Sequence, residues 1–323
     1  MHIWEFFCNF ARSNFEGVQK FVFDPYTPQK LAYAQKVKCA YPNCQCDAIN
    51  SHLLQKNRWL KQIAEDGKVL QMGDEQEQSL LDGDEKGNVY AELSINKAMS
   101  LPIFCAQHDQ KVFKDCEVKE LDLSNKLHLL KLSYRAFCAA MAQEKRRNIF
   151  YHINPTINNF CQGWLFNMQL AYSDFVVELF NRYVIDIYKD VKSKNIADYE
   201  FQVIKIKRIP ICLSDVIMPE EELWNAFQKH DDKAMLSPIY VHALPYPNES
   251  VLIMGYDKRQ CKDSMPVKIK EWITDKNSNK VILDWLVMTN NWCVSPSYFG
   301  KEKETICEEI MLRKMEYQAQ INN

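Results

Sequence analysis

Two stretches of this chain carry residue types that together could hold a metal ion. Cys39-Ala40-Tyr41-Pro42-Asn43-Cys44-Gln45-Cys46 offers two thiols separated by four residues, a knuckle able to grip a cation. Farther along, Phe104-Cys105-Ala106-Gln107-His108-Asp109 places a Cys-x-x-His pair at the start of an expected helix. Thiolate and imidazole donors in a set of four are the chemistry of tetrahedral Zn²⁺. The expected quartet is Cys39, Cys44, Cys105 and His108, with Cys46 a rival to Cys44 because Cys-x-Cys spacing also chelates. Neither half holds the metal tightly alone, so the chain between them must close before the site exists. Folding and metal binding then become one event.

The elements that must position these residues follow from periodicity and punctuation. Asp24-Pro25-Tyr26-Thr27-Pro28 divides residues 1–36 into an N-terminal element and a short helix. Ala48–Leu54 is short and alternating enough for a strand, with His52 near its end. From Asn57, Leu60, Ile63 and Ala64 fit a short amphipathic helix that stops at Gly67. Residues 68–72 and 88–94 read as strands around a turn-rich excursion. Residues 105–116 read as a helix, since Phe104, His108, Val112 and Phe113 recur near helical spacing.

Ser124 can cap a long helix running to about Arg147, with Lys145-Arg146-Arg147 in a last turn where basic residues suit the helix dipole. A second long helix is expected over residues 159–192. Beyond Tyr199 the texture changes to strands, at 201–208, 209–213, 239–244, 250–256 and 280–288, before a charged amphipathic helix over 301–317. The expected fold class is α+β: a zinc-stapled N-terminal domain (1–120), a helical connecting region (121–195) that acts as a spine, and an α+β C-terminal domain (196–323).

Composition narrows the function classes. Lys plus Arg number 40 against 42 for Asp plus Glu, so the whole-molecule field gives no argument for nucleic acid, and any such surface must be local. The 12 cysteines are scattered over 323 residues behind an opening that reads as no signal peptide, which points to a reducing cytoplasm. No run approaches the length of a membrane span, so no membrane partner is expected. With eight glycines and no phosphate-loop or dinucleotide fingerprint, the chain does not read as a nucleotide enzyme.

A resemblance enters on particular residues. Cys39-x4-Cys44, Ile49-x-Ser51-His52, Leu54-Gln55-Lys56, Ile63-Ala64-x-x-Gly67-x-Val69 and Phe104-Cys105-x-x-His108-Asp109-x-x-x-Phe113 resemble a group of bacterial proteins with a divergent HNH-type, or ββα-metal, zinc domain. The resemblance covers about residues 36–120 and extends more loosely to Ser133–Phe137 and Ser295-Pro296-Ser297. It implies a zinc-stapled HNH-like fold and metal-dependent cleavage of nucleic-acid phosphodiesters, in a setting such as defence against foreign DNA. By residue match, His52 takes the place of the general base on water and Asp109 that of a ligand to a catalytic Mg²⁺ or Mn²⁺. Lys56 and Arg58 lie close behind His52, where they could hold a nucleic-acid backbone.

The match departs from the family in three places. Ser51 stands where many relatives carry an acidic residue or a second histidine, a helix is expected before the second strand, and Asn96 is only the nearest candidate for the middle asparagine. Two functions therefore compete. One is a metal-dependent endonuclease; the other is a non-catalytic zinc-stabilised module that binds nucleic acid or a partner protein.

Overall fold

In the computed structural model the strand segments beyond Tyr199 pair with two segments between residues 68 and 94 into one antiparallel sheet. The described residues are 26–72, 90–118, 121–157, 163–261, 282, 284–286 and 288–298. In chain order the elements are α1 (Tyr26–Ala34), β1 (Ile49–His52), a 3-10 turn (Leu60–Gln62), β2 (Lys68–Met72), β3 (Tyr90–Ser94), β4 (Ser100–Phe104) and α2 (Ala106–Val118). They continue as α3 (Lys126–Ile157), α4 (Trp164–Ser193), β5 (Tyr199–Lys207), β6 (Ile211–Ile217), α5 (Glu220–Gln228), β7 (Ile239–Pro245), β8 (Glu249–Asp257) and β9 (Trp292–Val294). The fold is α+β. Among the described residues no helix is long and apolar enough to cross a membrane.

Seven strands form the large sheet in the order β3-β2-β9-β6-β7-β8-β5, and β1 with β4 forms a separate two-stranded ribbon. Strands from residues 68–94 thus share a sheet with strands beyond residue 199. The link is β9, which takes Leu70 opposite Val294 on one side and Cys212 opposite Cys293 on the other. A second tie lies beside it, where Ser295-Pro296-Ser297 closes on Glu65. The Ser297 backbone N–H donates to both Glu65 carboxylate oxygens at 3.1 Å, and the hydroxyls of Ser295 and Ser297 donate to Oε1 as well.

The two-residue period of a strand sorts side chains to opposite faces. Cys212, Val216, Tyr240, Leu244, Val251, Ile253 and Cys293 face the long helices and join a core that reaches Phe104, Phe113, Tyr134 and Phe137. Ile211, Leu213, Val241, Ala243, Leu252, Met254, Trp292 and Val294 face the other way and pack under Ile282, Trp285 and Leu286. The α3–α4 pair shares one core with the metal-ligand region and with one face of the sheet.

Three expectations are corrected. Within the expected strand 280–288, the described residues Ile282, Asp284, Trp285, Leu286 and Met288 are helical. Ile282, Trp285 and Leu286 fall at i, i+3 and i+4, the spacing of a single helix face against the sheet. The expected helix after Asn57 is a 3-10 turn followed by a left-handed corner at Asp66 (φ 49°) and Gly67 (φ 74°), closed by backbone bonds in both directions between Glu65 and Lys68. Finally, α3 does not stop near Arg147 but runs through Pro155. So close to a helix end, the missing proline N–H forfeits a single intrahelical bond. The excursion between β2 and β3 and the helix expected over 301–317 lie outside the described residues.

Candidate metal centre

The knuckle is a tight turn. Cys44 N–H donates to Tyr41 C=O at 3.1 Å, with Pro42 at the second position and Asn43 left-handed at the third (φ 65°). Proline presets the one angle and asparagine tolerates the other. Cys39 N–H donates to Cys46 C=O at 3.0 Å, and Ala40 N–H donates to Ile103 C=O at 2.8 Å, which holds the knuckle against β4. On the far side, α2 begins immediately after Cys105, so that both His108 and Asp109 N–H reach the Cys105 carbonyl at 3.0 Å. The β1–β4 ribbon, with Ile49 opposite Phe104 and His52 opposite Ser100, connects the two halves.

These elements bring Cys39, Cys44, Cys105 and His108 together, one potential ligand atom from each and all within 4.8 Å of one another. Nδ1 of His108 is the nitrogen that faces the thiols, 3.3 Å from Cys105 Sγ and 3.6 Å from Cys39 Sγ. With Zn–S near 2.3 Å and Zn–N near 2.0–2.1 Å, the sulfur–nitrogen edge of a tetrahedron is about 3.5 Å, so the observed spacing fits a zinc ion. Three thiols and one imidazole are a soft donor set that selects Zn²⁺ over Mg²⁺ or Ca²⁺.

The protonation chemistry is consistent with ligation. Burial, with Lys111 nearby, lowers the pKa of His108 and favours the neutral imidazole that a metal needs. A hydrogen bond from the Cys46 backbone leads the interactions that lower Cys44. Burial pushes the Cys39 thiol up to about 12 in the absence of a cation. A metal ion binding there has to displace that proton.

His52 closes β1. Its Nε2 lies 2.9 Å from the Ile95 carbonyl oxygen. A carbonyl only accepts, so Nε2 carries a hydrogen in this contact. Lys56, which follows it, donates to Asn96 Oδ1 at 2.6 Å, and Arg58 lies over the Trp59 ring at 4.7 Å. Ser51 is buried and its hydroxyl turns back to the Ile49 carbonyl.

Asp109 is committed elsewhere. Asp109, Phe113 and Glu117 recur every fourth residue along one face of α2, and Arg135 of α3 lies along that face. Its guanidinium donates to Asp109 Oδ1 at 3.1 Å and to Glu117 Oε1 at 2.5 Å, and sits 3.7 Å from the Phe113 ring centroid. The Arg135 side chain is only 4% exposed.

Several other basic residues are also engaged internally. Arg146 lies over Tyr33, Arg147 pairs with Glu144, and Arg208 donates to the carbonyls of Gln62 and Tyr246. Burial lowers the pKa of Lys145.

Two residues of this region were not legible as functional. Tyr41 stacks on the His108 ring, and its hydroxyl accepts a hydrogen bond from that of Tyr188 on α4. Arg135 is the only charge in the run Ser133–Phe137, and a buried charge in an apolar helical stretch demands a partner; that was the available signal. No family model matches the chain, and neither do any curated protein or solved structure.

Proposed function

We propose that this chain is a non-catalytic binding module stabilised by a structural zinc ion on Cys39, Cys44, Cys105 and His108. The completeness of the donor set carries the structural role of the ion, and the engagement of Asp109 by Arg135 carries the non-catalytic reading. Four protein ligands close a tetrahedron, whereas a catalytic zinc keeps one position for water or substrate. When bound, the ion supplies a crosslink between the knuckle and α2. The residues around it hold its ligands in place, through the Tyr41–Cys44 turn, the Tyr41 ring and the start of α2.

The Asp109–Arg135 pair supports the same reading, because a carboxylate held by a buried guanidinium is poorly disposed to bind Mg²⁺ or Mn²⁺. A protein partner fits better than nucleic acid. The basic groups at 146–147 and at 208 are spent on internal contacts, while Trp164 is 72% exposed and Trp224 37% exposed. Exposed tryptophan is characteristic of protein interfaces.

A second reading, an HNH-type endonuclease, is favoured by one observation. The Ile95 carbonyl holds the His52 ring through Nε2, and a positioned histidine is what a general base requires. Incubation of plasmid and single-stranded DNA with zinc-loaded protein in Mg²⁺ or Mn²⁺, beside His52→Ala checked for retained zinc, separates the two. A binding module leaves both substrates intact. Cutting that vanishes in His52→Ala while zinc remains would establish the nuclease.

A further inference from the structure

The large sheet ends at β5, whose outer edge carries backbone groups that nothing among the described residues uses. Consecutive pairs, from Tyr199 opposite Asp257 to Lys207 opposite Glu249, join β5 to β8. In an antiparallel ladder, alternate residues turn their N–H and C=O toward the neighbouring strand and away from it. Lys258 N–H donates to Asp198 C=O at 2.8 Å, one step before the first of these pairs, so the even-numbered residues of β5 bond to β8. The far side of β8 agrees in phase. There Tyr246 N–H donates to Glu249 C=O at 2.8 Å, so the odd-numbered residues of β8 serve β7.

Tyr199, Phe201, Val203, Lys205 and Lys207 therefore present their N–H and C=O groups outward. Those of Tyr199 are taken, the N–H by Ile196 C=O at 3.3 Å and the C=O by Lys126 Nζ at 3.2 Å. Those of the other four meet no partner among the described residues. Exposed edges are usually guarded by shortness, proline, a bulge or a charge. β5 runs for nine residues without a proline, against five for β3 at the opposite edge. Its side chains also lean away from the edge. Lys205 is drawn back onto Glu249 of β8 at 2.8 Å, and the Phe201 ring lies over Gly255, where a Cβ would come within 2.3 Å of it. Val203 is exposed.

We propose that β5 pairs with β5 of a second copy of this chain, antiparallel about a two-fold axis at Ile204, so that one sheet runs through both copies. The inference goes beyond the binding-module reading and does not depend on the zinc ion. The open groups decide the register. Phe201, Val203, Lys205 and Lys207 are symmetric about Ile204, so a two-fold axis there sets Val203 opposite Lys205 and Phe201 opposite Lys207 of the second copy. Every open N–H then meets an open C=O. The side chains suit the same register, since Ile204 meets its own copy, Gln202 meets Ile206, and no like charges stand directly opposite. Ile204 and Ile206 already pack against the sheet's outer core, so pairing carries that apolar face across the edge. An axis at Lys205 would oppose two lysines, and one at Val203 would aim Lys207 at the Tyr199 groups already bonded.

The test is sedimentation velocity on the full chain over about a hundredfold range of concentration, where mass action reveals a dimer. Wild type is expected to pass from monomer to dimer. Val203→Pro removes an outward N–H and leaves the β5–β8 ladder its bonds, so it should raise the dimer dissociation constant at least about tenfold with an unchanged circular dichroism spectrum. Ile204→Cys places a thiol opposite its own copy at a non-hydrogen-bonded pair, where the strands come closest. Mild oxidation should join the two substituted positions by an intermolecular disulfide, identified by mass spectrometry. In wild type, the amides of Phe201, Val203, Lys205 and Lys207 should exchange hydrogen more slowly at high concentration than at low, a readout that needs no variant. A chain that stays monomeric throughout would overturn the proposal. So would a dimer equally tight in a folded Val203→Pro, or one in which position 204 does not crosslink. Protection of these amides only on mixing with a different protein would assign the edge to a foreign strand and overturn the second copy.

Discussion

The Tyr41 ring lies flat on the imidazole of His108, with centroids 3.7 Å apart and an interplanar angle of 2°. The knuckle thus contributes more than sulfur to the metal centre, since it also fixes the plane of the nitrogen ligand from the opposite half. Outer groups that orient a ligand are commonly worth 10–100-fold in metal affinity. Tyr41→Ala is therefore expected to lose zinc to a chelator about tenfold faster than wild type. Tyr41→Phe keeps the stack, gives up only the Tyr188 contact, and should retain zinc nearly as well. Zinc release monitored with a colorimetric chelator reads both variants.

The buried Arg135 is expected to matter for stability and not for metal content. It anchors α3 to α2 through Asp109, Phe113 and Glu117. Arg135→Met leaves two carboxylates that can rehydrate, their side chains being 26% and 30% exposed. The expected cost is about 2–4 kcal/mol, below the penalty of stranding a fully buried partner. Asp109→Asn, which leaves Glu117 in place, should cost about 1 kcal/mol. Urea unfolding of both variants, with zinc content measured alongside, checks the magnitudes and the separation of roles.

A third prediction concerns pH. His242 is fully buried between α3 and the sheet, with Nδ1 3.0 Å from Ser214 Oγ and Nε2 3.3 Å from Ser133 Oγ. Ser133 donates its own hydrogen to Leu129 C=O, so it accepts from Nε2–H, and Ser214 donates to Nδ1. The ring is thereby satisfied as neutral, and burial lowers its pKa to about 3. Between that value and the unfolded pKa near 6.5 the unfolded chain binds the extra proton, so stability rises with pH and is lost on acidification. The contribution is up to about 1.4 kcal/mol per pH unit over that window. His242→Asn should unfold with a flatter pH dependence than wild type between pH 6 and pH 4 when compared by urea titration; an identical slope would remove His242 from the acid response.

How much of this was legible in sequence depended on range. The metal quartet could be read because each half is a short motif: Cys39 and Cys44 across one turn, Cys105 and His108 across one turn of helix. The long helices and the strands at 68–72, 199–207, 239–245 and 249–257 could be read from their own periodicity. What failed was non-local or too short to carry a period. β9 has three residues between Asn291 and Ser295, and it acquires its strand character only from β2 and β6 on either side. The dense apolar run at 281–283 imitates a buried strand, and only the sheet face beneath Ile282, Trp285 and Leu286 selects the helix. The pairing of Asp109 with Arg135 likewise joins two helices, a contact that no local spacing reveals.

The most direct test of a structural zinc is the metal content and stability of the purified chain before and after removal of the ion. One zinc per chain is expected, lost on Cys39→Ser or His108→Ala, with chelation lowering the unfolding temperature and zinc restoring it. A chain that binds no zinc, or whose unfolding temperature is indifferent to its presence, would contradict the staple that joins the knuckle to α2.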